Sequence, residues 1–130
     1  MKKKCIFCNP DREKVLQSEL CYTIYDKYPV SNGHLLIILH RHEKNYFKLS
    51  KDEKLALWEM VEEAKTYLDK QFHPDGYNVG FNLNKAAGQT VFHVHVHVIP
   101  RYEGDMENPE GGVRRVVEGK GRYSSYSSKK

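Results

Sequence analysis

Hydrophobic and polar positions alternate from Val91 to Val98, the most regular stretch of the chain. Val91, Val94, Val96 and Val98 are β-branched and favour an extended backbone, so the run predicts a strand. Side chains two apart in a strand share a face. His93, His95 and His97 therefore line one side, and the valines line the other. Pro100 has no N–H to donate and marks the predicted end of the strand.

Other patterns fill in the rest. Residues 20–25 (Leu-Cys-Tyr-Thr-Ile-Tyr) are strand formers, and Pro29 with Ser31-Asn32-Gly33 predicts a loop. His34–Leu39 carries a short continuous apolar run, which suits a buried central strand. The polar patch His40-Arg41-His42-Glu43-Lys44 follows. Ser50 and Glu53 form a capping box that opens a helix to about Phe72, with Leu57, Val61, Ala64, Leu68 and Phe72 along one face. Pro74-Asp75-Gly76 ends it. Tyr77–Leu83 predicts a further strand, and Asn84–Gly88 a loop ahead of the histidines. Two strands, a long helix and two more strands with short connections imply a mostly antiparallel sheet in an α+β domain.

A length of 130 residues suits one domain with a real core. No apolar run is long enough to span a bilayer, and no apolar segment follows the basic Met1–Lys4, which excludes a secretory signal. The expected location is cytoplasmic. The formal net charge of +4 (21 basic against 17 acidic side chains) suits phosphate-bearing ligands. No basic stripe with interleaved aromatics supports nucleic-acid binding. An odd cysteine count, three, argues against a disulfide framework. Cys5-Ile6-Phe7-Cys8 has a spacing used by both metals and redox pairs, but a redox motif lacks its expected βαβ context here.

Three in-line imidazoles, each titrating near pH ~6.5 when unperturbed, suit two chemistries. They can ligate a metal, or one can act as a nucleophile while its neighbours stabilise developing charge. Solvated polar residues on an exposed strand face are the plainer alternative.

The pattern His93-Val94-His95-Val96-His97-Val98-Ile99 resembles the signature of the histidine triad superfamily of nucleotidyl hydrolases and transferases. Gly33–Ile38, Asn82 and Ala87-Gly88-Gln89-Thr90 match further parts of it, and the resemblance runs from about Cys5 to Arg101. The chain looks most like the branch of diadenosine polyphosphate hydrolases and the fragile histidine triad protein, with the nucleoside phosphoramidases as the close competitor. This resemblance implies a five-stranded antiparallel sheet with one long helix and a short one, and a homodimer whose sheets join. Trp58 and Met60, beside the helix's core face, are consistent with an apolar dimer surface.

By position, His95 resembles the nucleophile that attacks an α-phosphate and forms a nucleotidyl-histidine. The backbone carbonyl of His93 would orient it, and His97 and His34 would lie near the phosphate oxygens. Gly88, Gln89, Thr90 and Val91 resemble the phosphate loop, Asn82 a substrate-contacting amide, and Asp26 an acceptor for ribose hydroxyls. The implied ligand is a purine nucleotide or dinucleoside polyphosphate, with Mg²⁺ or another divalent cation accompanying a polyphosphate. The same site used on a phosphoramidate or adenylyl conjugate is the second reading. An ion held by His93, His95 and His97 together is a third, of another class.

The resemblance also implies a structural zinc held by Cys5, Cys8, His42 and His93, a set that suits tetrahedral coordination. His40 is a possible substitute for His42, and Cys21 a weaker one. Residues 1–103 read as one domain, and 104–130 as a C-terminal extension, partly flexible. Within the extension Val113–Val117 packs locally, and Arg114 or Arg115 reaches phosphate in a dimer. Lys85, before Gly88, either contacts a polyphosphate or is solvated.

Overall fold

The computed structural model describes residues 5–123. Its strands are β1 (Cys21–Tyr25), β2 (Leu35–Leu39), β3 (Gly76–Gly80) and β4 (His95–Arg101), with one helix, α1 (Lys51–Phe72), between β2 and β3. The sheet is antiparallel throughout, in the order β1-β2-β4-β3. The all-apolar β2 lies inside the sheet, as its continuous run requires.

The capping box at the start of α1 is formed, with Ser50 Oγ accepting from Glu53 N at 3.1 Å and Glu53 Oε1 accepting from Ser50 N at 2.9 Å. The helix lays Leu57, Met60, Ala64 and Leu68 on Leu35, Ile37, Leu39, Val94, Val96 and Val98. Fully burying each of these leucine, isoleucine, valine or methionine side chains contributes about 1.5–3 kcal/mol. Gly33 precedes β2 with φ +91°, and a Cβ there would lie 2.9 Å from Phe72 Cδ2. Only glycine lets this turn approach the end of the helix, and the turn delivers His34 to the sheet. On the face away from α1, Tyr22, Ile24, Leu36 and Ile38 pack on Phe7.

Several expectations are corrected. The sheet has four strands, not five. Val15–Gln17 runs beside β1, with Val15 N on Thr23 O and Thr23 N on Leu16 O, both at 2.8 Å. Thr23 Oγ1 takes the next amide, Leu16 N, at 2.9 Å, and only an isolated bridge, Gln17–Tyr22, results. In place of a short helix there are three 3₁₀ turns: Tyr46–Lys48, Lys85–Ala87 and Gly112–Val116. The third spans most of Val113–Val117, expected to pack locally. Met60 is a core residue, 1% exposed, so it is absent from any outer surface of α1.

The histidine strand also starts late and ends late. Residues 91–93 bend, because Val94 N is bound to Glu43 O at 2.7 Å and β2 offers no partner beyond Leu39. At the other end Pro100 does not stop the strand. Its carbonyl accepts from Ser31 Oγ at 2.6 Å on the side where β2 has already ended. N and O of one strand residue point the same way, so no ladder donor is missing there, and pairing with β3 continues to Arg101. Of the residues called partly flexible, 124–130 lie outside the described residues.

Candidate functional site

Within β4 the burial alternates strictly: Val96, Val98 and Pro100 face α1, while His95, His97, Ile99 and Arg101 are half-buried on the opposite face. The three histidines do not converge on one point. Each ring is set by a different partner.

His95 Nδ1 lies 2.8 Å from the carbonyl of His93. A carbonyl only accepts, so Nδ1 carries the hydrogen and Nε2 presents its lone pair. Burial pushes the His95 pKa down, which keeps the ring neutral at pH 7. Phe7 meets it edge-on at 4.9 Å between ring centroids. This is the protonation state a nucleophile needs.

His97 and His34 form a chain. Val30 N donates to His34 Nδ1 at 3.2 Å, so the His34 hydrogen sits on Nε2. That nitrogen lies 3.0 Å from His97 Nδ1. His97 Nδ1 therefore accepts, and its Nε2–H is left as a donor. Burial lowers the pKa of both rings, opposed by Asp26, whose Oδ2 is 3.5 Å from His34 and 4.0 Å from His97. Asp26 also accepts from Tyr28 N at 2.8 Å through Oδ1.

His93 is fully buried and belongs to a separate cluster. Its Nε2 donates to Leu39 O at 2.5 Å, which leaves the Nδ1 lone pair free. Nδ1 lies 3.3 Å from Cys5 Sγ, 3.6 Å from Cys8 Sγ and 3.2 Å from His42 Nδ1. Cys8 Sγ is 3.2 Å from His42 Nδ1. All four ligand atoms fall within 4.8 Å of one another. Tetrahedral zinc, with Zn–N of about 2.0–2.1 Å and Zn–S of about 2.3 Å, sets N···N near ~3.3 Å and N···S near ~3.6 Å. The cluster is compatible with a zinc ion. The alternatives are not in it: His40 Nε2 sits 3.2 Å from Ser18 O, and Cys21 Sγ bonds Ala56 O beneath α1.

The loop before β4 departs from simple expectation. Gln89 is buried and its amide is spent internally, donating to Lys44 O at 3.0 Å and Val91 O at 3.3 Å while Oε1 accepts from Asn84 N at 2.7 Å. The N–H groups of Gly88 and Gln89 close the 3₁₀ turn onto Lys85 O and Asn84 O. Among the described residues, the N–H groups of Thr90 and Val91 make no such bond. Asn82 is exposed at the end of β3, and Lys85 is exposed in the loop. Phe7 escaped sequence reasoning. Its signal was an aromatic inside a Cys-x-x-Cys, where it packs on both His93 and His95.

Residues 9–104 match the HIT domain family. This chain belongs to that family. It is 36% identical over 104 residues to a HIT-like protein of Mycoplasma pneumoniae, covering 76% of this chain and 72% of that one. It is 35% identical to the bis(5'-adenosyl)-triphosphatase of Dictyostelium discoideum, covering 70% of this chain and 61% of that one. The crystal structure of a zinc-bound histidine triad family protein from Mycobacterium smegmatis superposes with a TM-score of 0.72 at 30% identity, covering 80% of this chain and 79% of that one. As a HIT protein, the chain falls among nucleotide hydrolases and transferases. Among its described residues no helix is long and apolar enough to cross a membrane.

Proposed function

We propose that the chain is a nucleotidyl hydrolase or transferase that works through a covalent intermediate on His95. The observation that carries this reading is the hydrogen bond from His95 Nδ1 to the His93 carbonyl, which leaves Nε2 unprotonated and aimed away from the backbone. Nε2 attacks the α-phosphorus of a bound nucleotide, and a P–N bond forms as the bond to the leaving group breaks. His97 Nε2–H donates to the phosphoryl or leaving oxygen. Water then opens the His95–phosphorus bond and releases the nucleoside monophosphate. Thr90 and Val91 N–H, with Asn82, hold phosphate oxygens, and Asp26 Oδ2 accepts from ribose.

Dinucleoside polyphosphates are the first substrate class, a reading supported by likeness to the triphosphatase. A phosphoramidate or adenylyl conjugate is the second, favoured by an apolar cavity beside His97. The in-line metal reading is disfavoured, because His93 and His97 belong to different clusters and His95 to neither. Cys5, Cys8, His42 and His93 hold a structural zinc that ties the N-terminal segment to the sheet. A divalent cation accompanies a polyphosphate substrate rather than a carboxylate cage of the protein. The chain pairs as a homodimer through the free edge of β3 and the outer side of α1, where Trp58 remains exposed.

Intact-protein mass spectrometry after brief incubation with a diadenosine polyphosphate tests this. The expected result is a gain of one nucleoside monophosphate that is absent in His95→Ala. Turnover that persists in His95→Ala would sink the proposal.

A further inference from the structure

Phe7 stands between two members of the Cys/His cluster, yet its ring lies against the nucleophile. Cys8 N and Asn9 N both close on Cys5 O, at 3.1 and 3.2 Å, in a tight turn. The thiols of Cys5 and Cys8 meet His93 and His42, Ile6 faces solvent, and Phe7 is buried. The Phe7 carbonyl accepts from the buried Tyr22 hydroxyl. Burial of Tyr22 pushes its pKa up to about 12, so the hydroxyl keeps its hydrogen at physiological pH. The Phe7 ring belongs with Tyr22, Ile24, Leu36 and Ile38 in the core on that face of the sheet. None of these ties passes through a metal ion.

This anchored ring meets His95 at 4.9 Å between centroids and 71° between planes. Ile38 pairs with His95 across β2 and β4, and the His97 ring lies 5.2 Å away at 62°. Among the described residues, the Nδ1 bond to His93 O is the one hydrogen bond of the His95 ring. A single neutral hydrogen bond on a half-buried ring gives modest net protection, because water can take its place. The torsion that turns an imidazole about Cβ–Cγ is broad and does not choose an orientation by itself. A half-turn would carry Nδ1–H off the carbonyl and Nε2 away from the open face. To make that turn, the imidazole must sweep against Phe7. Interiors are close-packed, so the sweep requires Phe7 to move, and the core around it resists.

We propose that Phe7 is a positioning residue for the nucleophile. Its ring holds the His95 imidazole where Nδ1–H stays on His93 O and Nε2 faces the α-phosphorus. This deepens the nucleotidyl-transfer reading and rests on it. A ring that only bound the nucleotide would act on KM. A ring that sets the nucleophile acts on kcat, because a displacement of about 1 Å at a reacting atom can cost on the order of 10²-fold in rate.

The test uses the zinc-loaded full chain, its Phe7→Ala and Phe7→Leu variants, and diadenosine triphosphate as substrate. It reads kcat and KM, zinc content by mass spectrometry, and the Nδ1–H resonance of His95 in nitrogen-resolved NMR spectra of the free protein. Phe7→Ala is expected to lose about 10- to 100-fold in kcat, with KM within about twofold of wild type. Phe7→Leu keeps most of the bulk and loses the edge-on contact, so it should lose about two- to tenfold. Zinc should stay stoichiometric in both. The Nδ1–H signal, protected in the wild type, should weaken in Phe7→Leu and exchange away in Phe7→Ala. Should Phe7→Ala lose its zinc, Phe7→Leu decides, and wild-type kcat there overturns the proposal. Loss of zinc from both variants would assign Phe7 to the metal turn and overturn it. An effect confined to KM, or a fully protected Nδ1–H signal in zinc-loaded Phe7→Ala, would overturn it as well. The NMR measurement needs no turnover. A wild type that leaves diadenosine triphosphate intact, with the signal lost in Phe7→Ala, overturns the nucleotidyl-transfer reading and leaves the hold on His95 standing.

Discussion

His93 and His95 stand two residues apart and have opposite tautomers. His93 donates from Nε2 to Leu39 O and offers Nδ1 to two thiols and His42. His95 donates from Nδ1 to His93 O and offers Nε2 to the open face. Both rings are pushed to low pKa by burial, so both are neutral bases near pH 7. The difference lies in which carbonyl each ring reaches. A backbone acceptor selects the free nitrogen, and the free nitrogen decides between ligand and nucleophile. Residues two apart thus present donor atoms to two separate clusters without mixing them.

Single substitutions should separate the two halves. His95→Ala is expected to lower nucleotidyl turnover by at least about 10³-fold, as loss of a covalent catalyst does, while metal content by mass spectrometry stays at wild-type level. Equal loss of metal would mean that the two clusters are one. Cys8→Ser should do the reverse. Its bound zinc should fall to background, and stability should drop by about 4 kcal/mol when free zinc is some 1,000 times the Kd. Retention of stoichiometric zinc in Cys8→Ser would contradict the four-ligand set.

Within the reacting half, the His34–His97 chain supports the donor rather than the nucleophile. His34→Leu removes the donor to His97 Nδ1 and frees His97 to adopt the wrong tautomer. The expected loss in kcat is about 10- to 100-fold with little change in zinc. His34→Gln, whose amide can donate at the same place, should recover part of it. Equal rates in the two variants would assign His34 to packing alone.

How much of this was legible follows from range. The face of His95 and His97, the limits of α1 and the Ser50–Glu53 box depend on neighbours within a turn or a strand, and sequence periodicity carries that information. The four-atom cluster became visible only through family likeness, because nothing local brings Cys5 beside His93. The His93 carbonyl that orients His95 was named by family likeness, whereas the His93 tautomer depends on Leu39 O on the neighbouring strand and that of His34 on Val30 N in the turn before it. The fifth strand came from family likeness and not from the residue pattern, which predicts four; here Thr23 Oγ1 takes Leu16 N, and the segment beside β1 forms only an isolated bridge. The internal bonds of Gln89 were equally out of reach. A polar residue in a phosphate-like loop reads as a ligand contact, whereas here it buries its amide against Lys44 and Val91.

The smallest expected effect concerns the support of the metal half. Arg41 stands beside His42 and binds Glu53 at the start of α1 through Nε (2.9 Å) and Nη2 (3.0 Å). The pair fixes the loop that carries a ligand to the helix that carries none. Arg41 first, and then the Ser50 backbone against the cost of burial, hold the Glu53 pKa at about 2, well below the ordinary 4.5. A carboxylate with a depressed folded pKa contributes stability that is present above about pH 4.5 and lost as pH falls towards 2. Arg41 is half exposed, so solvent screening leaves about 1 kcal/mol for this contribution. Glu53→Gln should therefore lose about 1 kcal/mol at pH 7 and show a shallower fall in stability between pH 4.5 and 2, followed by chemical denaturation. It should weaken zinc retention slightly and leave the rate of nucleotidyl transfer to His95 as it is. A fall in that rate as large as the fall in zinc retention would show that the loop holding His42 also shapes the reacting centre.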